Sequence, residues 1–408
     1  MTASDIFILI AAAVTASWLF SPQIRKSDRW KATVTPLASI IGSGFLVAVP
    51  LLAVIVGKAA PIAMLAIVIL AYGIGGIIRF NIRNLEPLIR NHTQVPQKIL
   101  LIEKLSGLAL SAAYIVSVAF YLRMLSSFVL HGFDLEARFY ADLLTTVILL
   151  FIGLTGFARG LRGLERLEVY SVTIKLAIIA SLLLGLGMFD LRSLGDIFTN
   201  DIPIKDHNGF HQLRLLAGIL LIVQGFETSR YLGDDYDTDT RINTMRQAQF
   251  ISGVIYVVFV LLALPLLTHL DGTDPDETAI IGLAQLISPV LPVLLIVAAV
   301  MSQFSAAVAD TIGGGGLMSE NTGKKLSNRP SYLLITFAAI ILVWTADIFQ
   351  LISIASRAFA FYYLLQSINA WFTAGKCHCG WRCCLERVRF GFFIAILTFV
   401  VIFGHSAE

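Results

Sequence analysis

One lysine stands inside a stretch that is otherwise apolar. Lys175 lies about two turns into the run Glu168–Met188. Burial in hydrocarbon penalises the charged form of an amine, so a lysine held there can take up and release a proton. The alternative is a lysine whose long side chain reaches back to the membrane surface. We treat Lys175 as a candidate proton-coupling residue and keep the alternative open.

Two apolar stretches are interrupted by glycine and polar residues. The first, Val34–Val56, contains the sequence Ile41-Gly42-Ser43-Gly44, and the second, Leu213–Leu232, contains Gln224-Gly225-Phe226. Glycines favour a local break in a helix, although small residues also serve close helix packing. At a break, free N–H groups can bind an anion and free carbonyls can bind a cation. The substrate of a transporter binds where such broken helices meet, so these seven residues are candidate substrate contacts.

Further polar side chains in the apolar stretches have several possible roles. Glu227 is either a second titrating group or a brace that accepts N–H bonds at the second break. Ser302 and Ser305 share one helix face and could hold a sodium ion with carbonyls of the first break. Alternatively, their hydroxyls bond back to carbonyls of their own helix. Arg123 and Arg357 are expected to pair with carbonyls or acids inside the protein.

The composition indicates the elements that position these residues. The 408 residues are 57% hydrophobic and 14% charged, with a mean hydropathy of +0.81; soluble domains have about 25% charged residues. These values exclude a soluble globule, a disordered chain and a disulfide-rich scaffold. A net charge of +3 gives no reason to expect nucleic-acid binding.

A helix needs roughly 20 apolar residues to cross a bilayer, and such runs recur along the whole chain. We therefore predict an all-α polytopic membrane protein whose partner is the lipid bilayer. The prediction comprises about twelve transmembrane spans, numbered 0 to 11: Asp5–Phe20, Val34–Val56, Ala60–Phe80, Leu105–Leu130, Tyr140–Phe157, Glu168–Met188, Leu213–Leu232, Gln249–Leu270, Pro289–Ile312, Tyr332–Trp344, Ile348–Phe372 and Phe390–Phe403.

Basic residues orient the spans, since cytoplasmic loops are enriched in Lys and Arg. If span 1 starts in the cytoplasm, 22 of the 30 basic residues fall in inner segments, 5 in outer segments and 3 within spans. The bias alternates loop by loop. We predict a multi-pass protein of the cell membrane with its N-terminus outside. Span 0 is interpreted as a retained span, because the residues before it carry no Lys or Arg.

Several local patterns are set aside. The acidic run 235–239 lacks the Gly and Glu that a calcium-binding loop requires, and Gly313–Gly316 lacks the GK[ST] of a phosphate-binding loop. We interpret the four glycines as a flexible end to span 8. The four cysteines, within 377–384, are not spaced as a standard zinc site. No catalytic constellation is visible, so we expect no enzyme activity, no metal site and no cofactor other than a coupling ion, H⁺ or Na⁺.

Four stretches resemble the amino acid–polyamine–organocation (APC) superfamily: IIGSGF (40–45), LEVYSVTIKLAII (167–179), GFETSRYLGDDYDTDTR (225–241) and MSQFSAAVAD (301–310). The resemblance implies a five-plus-five inverted repeat of the leucine transporter type, which moves amino acids and related amines by alternating access. It also implies that Gly42-Ser43-Gly44 contacts a substrate carboxylate and that Phe226 gates the site. In proton-coupled members, a lysine like Lys175 stands where sodium-coupled relatives keep a sodium ion.

The chain departs from that pattern by a leading span 0 and by a single span after span 10. The leading helix is more typical of sodium–solute symporters, a sister family with the same fold. The expected organisation is an extra helix and basic loop (1–31), two repeats (32–190 and 191–372) and a final segment with the Cys-rich loop (373–408). The expected function is proton-coupled secondary active transport of amino acids or similar small organic solutes. The alternatives are a sodium-coupled symporter and a non-transporting membrane sensor or scaffold.

Overall fold

A computed structural model describes residues 3–42, 44–90, 95–131, 138–193, 209–269, 284–346, 348–377 and 381–404. Within these ranges the chain consists of α-helices and short 3-10 segments. The helices are α1 Ala3–Leu19, α2 Pro22–Arg25, α3 Asp28–Ile40, α4 Gly44–Val56, α5 Ala60–Arg90, α6 Gln97–His131, α7 Arg138–Arg159, α8 Leu161–Ser193, α9 Gly209–Ile219, α10 Thr238–Ala263, α11 Leu291–Asn321, α12 Asn328–Thr345, α13 Ile348–Cys377 and α14 Trp381–Phe403.

The helices follow the order of the predicted spans. Span 0 corresponds to α1, span 1 to α3 with α4, and spans 2 to 5 to α5 to α8. Span 6 corresponds to α9 and two 3-10 segments, and spans 7 to 11 correspond to α10 to α14. In the described part of the chain, six helical stretches are long and apolar enough to cross a membrane by themselves. The twelve predicted spans are compatible with this arrangement.

Several helices extend beyond their predicted ends. α5 reaches Arg90 instead of Phe80, and α8 begins at Leu161 instead of Glu168. Hydropathy marks only the part of a helix that lies in hydrocarbon, whereas the backbone hydrogen bonds of the helix continue into polar residues at its end. The predicted boundaries therefore understate these helices.

The interpretation of Gly313–Gly316 as a flexible helix end is wrong. The four glycines are buried inside α11, which continues to Asn321. A Cβ atom on Gly315 would lie 2.2 Å from the ring of Tyr332, and one on Gly316 would lie 2.2 Å from the carbonyl oxygen of Tyr231. The glycines are present because neighbouring chain segments approach α11 closely.

Span 1 and span 6 lie at the centre of the bundle. The helix α3 packs against α8, α10, α11 and the 3-10 segment Phe226–Tyr231. Around this centre α6 packs against α11 and α13, and α7 packs against α12. The extra helix α1 lies against α8 on the outside of the centre.

The acidic run 235–239 begins a helix. The carboxylate of Asp237 accepts the backbone N–H of Thr240 (3.3 Å) and caps α10. Hydrogen bonding to Thr240 holds the pKa of Asp237 below its usual value. An exposed N-cap of this kind is consistent with a solvated loop between spans 6 and 7.

Candidate functional site

Lys175 caps the end of the helix α3. Its ammonium donates hydrogen bonds to the carbonyls of Ala38 (3.0 Å) and Ile41 (2.6 Å) and to the hydroxyl of Ser305 (2.8 Å). The side chain is fully buried (0% exposed), so it does not reach back to the membrane surface. A helix end presents unsatisfied carbonyls with partial negative charge. The three hydrogen atoms of the ammonium therefore have three oxygen acceptors.

The helix α11 also contacts this end of α3. The hydroxyl of Ser302 donates to the carbonyls of Ile41 (2.6 Å) and Gly42 (3.0 Å). The hydroxyl of Ser305 donates to the carbonyl of Ser302 (3.0 Å) while it accepts from Lys175. The ammonium thus lies among the oxygen atoms that a sodium ion would need.

The second break contains a left-handed glycine. Gly225 has φ +111°, and the 3-10 segment Phe226–Tyr231 follows it. The N–H of Gly225 donates to the carboxylate of Glu227 (3.1 Å), which also accepts from the hydroxyls of Tyr114 (3.4 Å) and Tyr363. These contacts are the ones expected if Glu227 braces the second break, which is one of the two roles that the sequence left open.

The two breaks touch each other. A Cβ atom on Gly225 would lie 2.3 Å from the hydroxyl of Ser39, and one on Gly44 would lie 2.3 Å from Cγ2 of Ile222. The hydroxyl of Tyr256 on α10 lies 3.0 Å from the carbonyl of Ile40 and 3.3 Å from that of Ile222. The spacing of the sequence motifs does not predict Tyr256, because its part in the site depends on how α10 packs.

A buried aspartate lies beside the contact between the breaks. Asp310 on α11 is 0% exposed, and its carboxylate accepts from the hydroxyls of Ser39 (2.7 Å) and Ser117. Within the described residues, no basic side chain forms an ion pair with it. The sequence motifs did not single out Asp310, although it lies within predicted span 8 and an ionisable residue inside a span is itself a signal of function.

The remaining predicted site residues occupy different surroundings. Ser43 lies outside the described residues. Phe226 is buried and stacks on Tyr363, with ring centroids 5.3 Å apart and an interplanar angle of 24°. The side-chain oxygen of Gln224 is buried and has no hydrogen-bond partner in the described part of the protein. The structure thus brings both broken spans, Lys175 and the α11 serines to one place.

The two arginines expected inside the bundle differ. Arg123 donates to the carbonyls of Val343 (3.3 Å) and Ala346 (2.6 Å) and pairs with Asp142 (3.4 Å), as predicted. Arg357 is exposed on α13, so its expected place inside the bundle is wrong. Arg357 lies on the outward face of α13. The sequence alone does not define how this helix is rotated about its axis.

The geometry agrees with comparisons to known proteins. The family model described as "APC superfamily transporter" matches residues 22–404 of this chain. The chain belongs to the APC superfamily of transporters. An uncharacterized protein of Aquifex aeolicus strain VF5 is 46% identical to this APC transporter over 410 residues, which cover 100% of this chain and 98% of the relative.

Solved structures with the same fold belong to transporters of different solutes. A mutant of the Eremococcus coleocola manganese transporter has a TM-score of 0.58 at 15% identity, covering 93% of this chain and 86% of that one. A Na⁺-coupled sialic acid symporter, in its substrate-bound outward-open state, has a TM-score of 0.56 at 10% identity. The match covers 99% of this chain and 98% of the symporter. The predicted leucine-transporter-type fold is confirmed, and this APC transporter is a multi-pass membrane protein.

The APC transporter also has an ion-pair network, which lies on the side that the basic residues predict to be cytoplasmic. Arg230, just after the second break, is buried and pairs with Glu103 (2.8 Å) and Glu86 (3.2 Å). Arg241 on α10 also pairs with Glu86 (2.7 Å), and Gln366 on α13 accepts from Arg230 (2.5 Å). This network joins α5, α6, α10 and α13 to the segment that follows the second break.

Proposed function

We propose that this APC transporter moves amino acids or related small organic amines across the cell membrane, driven by protons that bind and leave Lys175. The two repeats, 32–190 and 191–372, alternate the access to a solute site at the touching breaks. The observation that carries the proposal is the position of the Lys175 ammonium between the carbonyl of Ile41 and the hydroxyl of Ser305.

The chemistry of that contact supports proton coupling over sodium coupling. The protonated lysine supplies a positive charge and three donors to oxygen atoms that would otherwise be free to bind sodium. Loss of the proton removes the charge and weakens the hold of α8 on the end of α3. The protonation of one amine can thereby control whether α3 is fixed or free to move.

The charges around the breaks support a solute that carries an amine. Asp310 and Glu227 are buried carboxylates with hydroxyl partners, and an ammonium group on the solute would offset their charge. Gly44 begins the helix α4, and the N–H groups of a helix start can bind a carboxylate. A zwitterion satisfies both ends of this site.

Proteoliposomes containing the purified protein test the coupling. A thermal-shift screen of amino acids, amines and carboxylates first identifies a solute, since bound ligand stabilises the folded state. A gradient of one pH unit is worth about 1.4 kcal/mol, enough for roughly tenfold accumulation of a solute moved with one proton. We expect accumulation that is independent of sodium and collapses with a protonophore.

Lys175→Ala and the longer Lys175→Met should both lose pH-driven accumulation while they still exchange solute across the membrane. Lys98→Ala, at an exposed lysine of α6, is the matched control and should behave as wild type. Accumulation that requires a sodium gradient would instead support the alternative in which Ser302 and Ser305 hold sodium. Accumulation by Lys175→Met at the wild-type level contradicts the coupling role of this lysine.

A further inference from the structure

A second ionisable residue of α8 is buried against the first broken span. Glu168 is 0% exposed, and one of its carboxylate oxygens accepts from the hydroxyl of Thr35 on α3 (2.7 Å). Its other carboxylate oxygen, Oε1, is buried and has no hydrogen-bond partner among the described residues. A buried carboxylate that is half satisfied is costly, so its retention here calls for a function.

Glu168 and Lys175 lie on the same face of α8. They are seven positions apart, which corresponds to almost two helical turns and returns a side chain to the same direction. Both face α3: Glu168 contacts Thr35, whereas Lys175 contacts Ala38 and Ile41. The rise from Thr35 to Ala38 is ~4.5 Å along the helix, so these two contacts lie within one turn of α3.

The same face of α8 continues towards the cytoplasm. Glu165 lies one turn before Glu168 and accepts the hydroxyl of Tyr236 (2.7 Å). Both Glu165 and Tyr236 line a cleft of about 760 Å³. The cleft also contains Arg162, Arg166 and Asp235, so it is polar and large enough to hold water. Glu168 is therefore the buried acid between Lys175 and this cleft.

The charged groups that act on Glu168 are few. Glu165 and Lys175 lie on its own helix, and Asp310 acts on it from α11. From α3 it meets the hydroxyl of Thr35. Acidic and basic groups on three other helices packed against α8 are bonded elsewhere: Asp5 to Ser288, Asp142 to Arg123, and Arg241 to Glu86.

We propose that Glu168 takes the proton that Lys175 releases and passes it to the cytoplasmic cleft at Glu165. The proposal rests on proton coupling through Lys175. In the first step an N–H bond of the ammonium breaks and an O–H bond forms on the carboxylate, so two buried charges become two neutral groups. In the second step the carboxylic acid returns the proton to water in the cleft. Neither step requires a free charge to cross the apolar part of the bundle.

Glu168→Gln in proteoliposomes tests this role, with wild type and Lys175→Met measured in parallel. Glutamine keeps the size of the side chain and an oxygen that can accept from Thr35, but it cannot take up the proton. We expect pH-driven accumulation to fall from roughly tenfold, the limit for one proton and one pH unit, to no accumulation. Solute counterflow, which needs no net proton movement, should stay at half the wild-type rate or more.

Two further variants separate proton transfer from structure. Glu168→Asp keeps a carboxylate and should retain accumulation, and Thr35→Val, which removes only the hydroxyl, should also retain it. The proposal is overturned if Glu168→Gln accumulates solute as wild type does, if its counterflow falls as far as its accumulation, or if Glu168→Asp loses accumulation as completely. Absence of pH-driven accumulation in wild type would instead overturn the proposed function itself.

Discussion

At the scale of single residues, Gly225 shows how one backbone conformation makes the second break. Its φ of +111° lies in the region that side chains with a Cβ rarely adopt. The close approach of Ser39 leaves no space for a Cβ in any case. The break in span 6 and its contact with span 1 therefore depend on the same residue.

Gly225→Ala should lower the free energy of unfolding by roughly 2 kcal/mol or more, because backbone strain and overpacking add. Gly391→Ala is the matched control, since a Cβ at this α14 glycine meets nothing within 4 Å. Thermal unfolding in detergent compares the two variants. Equal melting temperatures would show that the protein relaxes around position 225 without cost.

Lys175 stands out in the sequence, whereas Glu168 does not. A lysine in an apolar run is conspicuous, and its sequence position already pointed to a proton-coupling role. Glu168 stands at the edge of the same run, where an acid normally marks the membrane surface. Its burial depends on Thr35 of another helix, which no spacing within α8 reveals.

At the scale of elements, the ion-pair network at Arg230 links the second break to the helices around it. Arg230 is 3% exposed at its side chain, and its partners come from α5 and α6. A buried arginine that holds two carboxylates fixes their helices relative to the segment Phe226–Tyr231. The network therefore stabilises the arrangement of α5, α6 and this segment seen in the structure.

Arg230→Gln should loosen the segment Phe226–Tyr231, because breaking a buried pair by removal of one partner costs about 3–5 kcal/mol. Hydrogen exchange of the segment Phe226–Tyr231 should become faster. Arg83→Gln is the control: Arg83 pairs with Asp239 at 3.1 Å, but the side chains are 60% and 74% exposed, and such pairs contribute about 1 kcal/mol or less. Equal exchange in the two variants would show that the Arg230 network does not stabilise this segment.

At the scale of the whole molecule, the distribution of basic residues predicts the orientation in the membrane. The 22 basic residues assigned to inner segments outnumber the 5 assigned to outer segments. The helix order of the structure preserves that alternation. The proposed direction of the proton path, from Lys175 towards Glu165, depends on this orientation.

A membrane-impermeant amine reagent tests the orientation on intact cells. Lys58, between α4 and α5, should be modified from outside, whereas Lys324, between α11 and α12, should react only after the membrane is opened. Both lysines are exposed in the structure, so the difference measures sidedness. Mass spectrometry of the labelled peptides identifies which lysine has reacted. Modification of Lys324 but not Lys58 on intact cells would show that the predicted orientation is wrong.

The sequence by itself determined the fold class, the order of the helices and the two interrupted spans. Hydropathy is a property of continuous segments, and glycine next to polar residues inside such a segment disfavours a regular helix. These features can be recognised without knowing which distant residues are in contact in the folded protein. Ends of helices were less well predicted, because helical hydrogen bonds continue past the apolar residues.

Only the tertiary structure decided which side chains meet at the breaks. Asp310, Tyr256 and Glu168 each join the site through partners on other helices. The rotation of a helix about its axis is set by packing against all its neighbours, and a single sequence does not encode those contacts in its spacing. The same physics placed Lys175 at the end of α3 and left Arg357 on an exposed face.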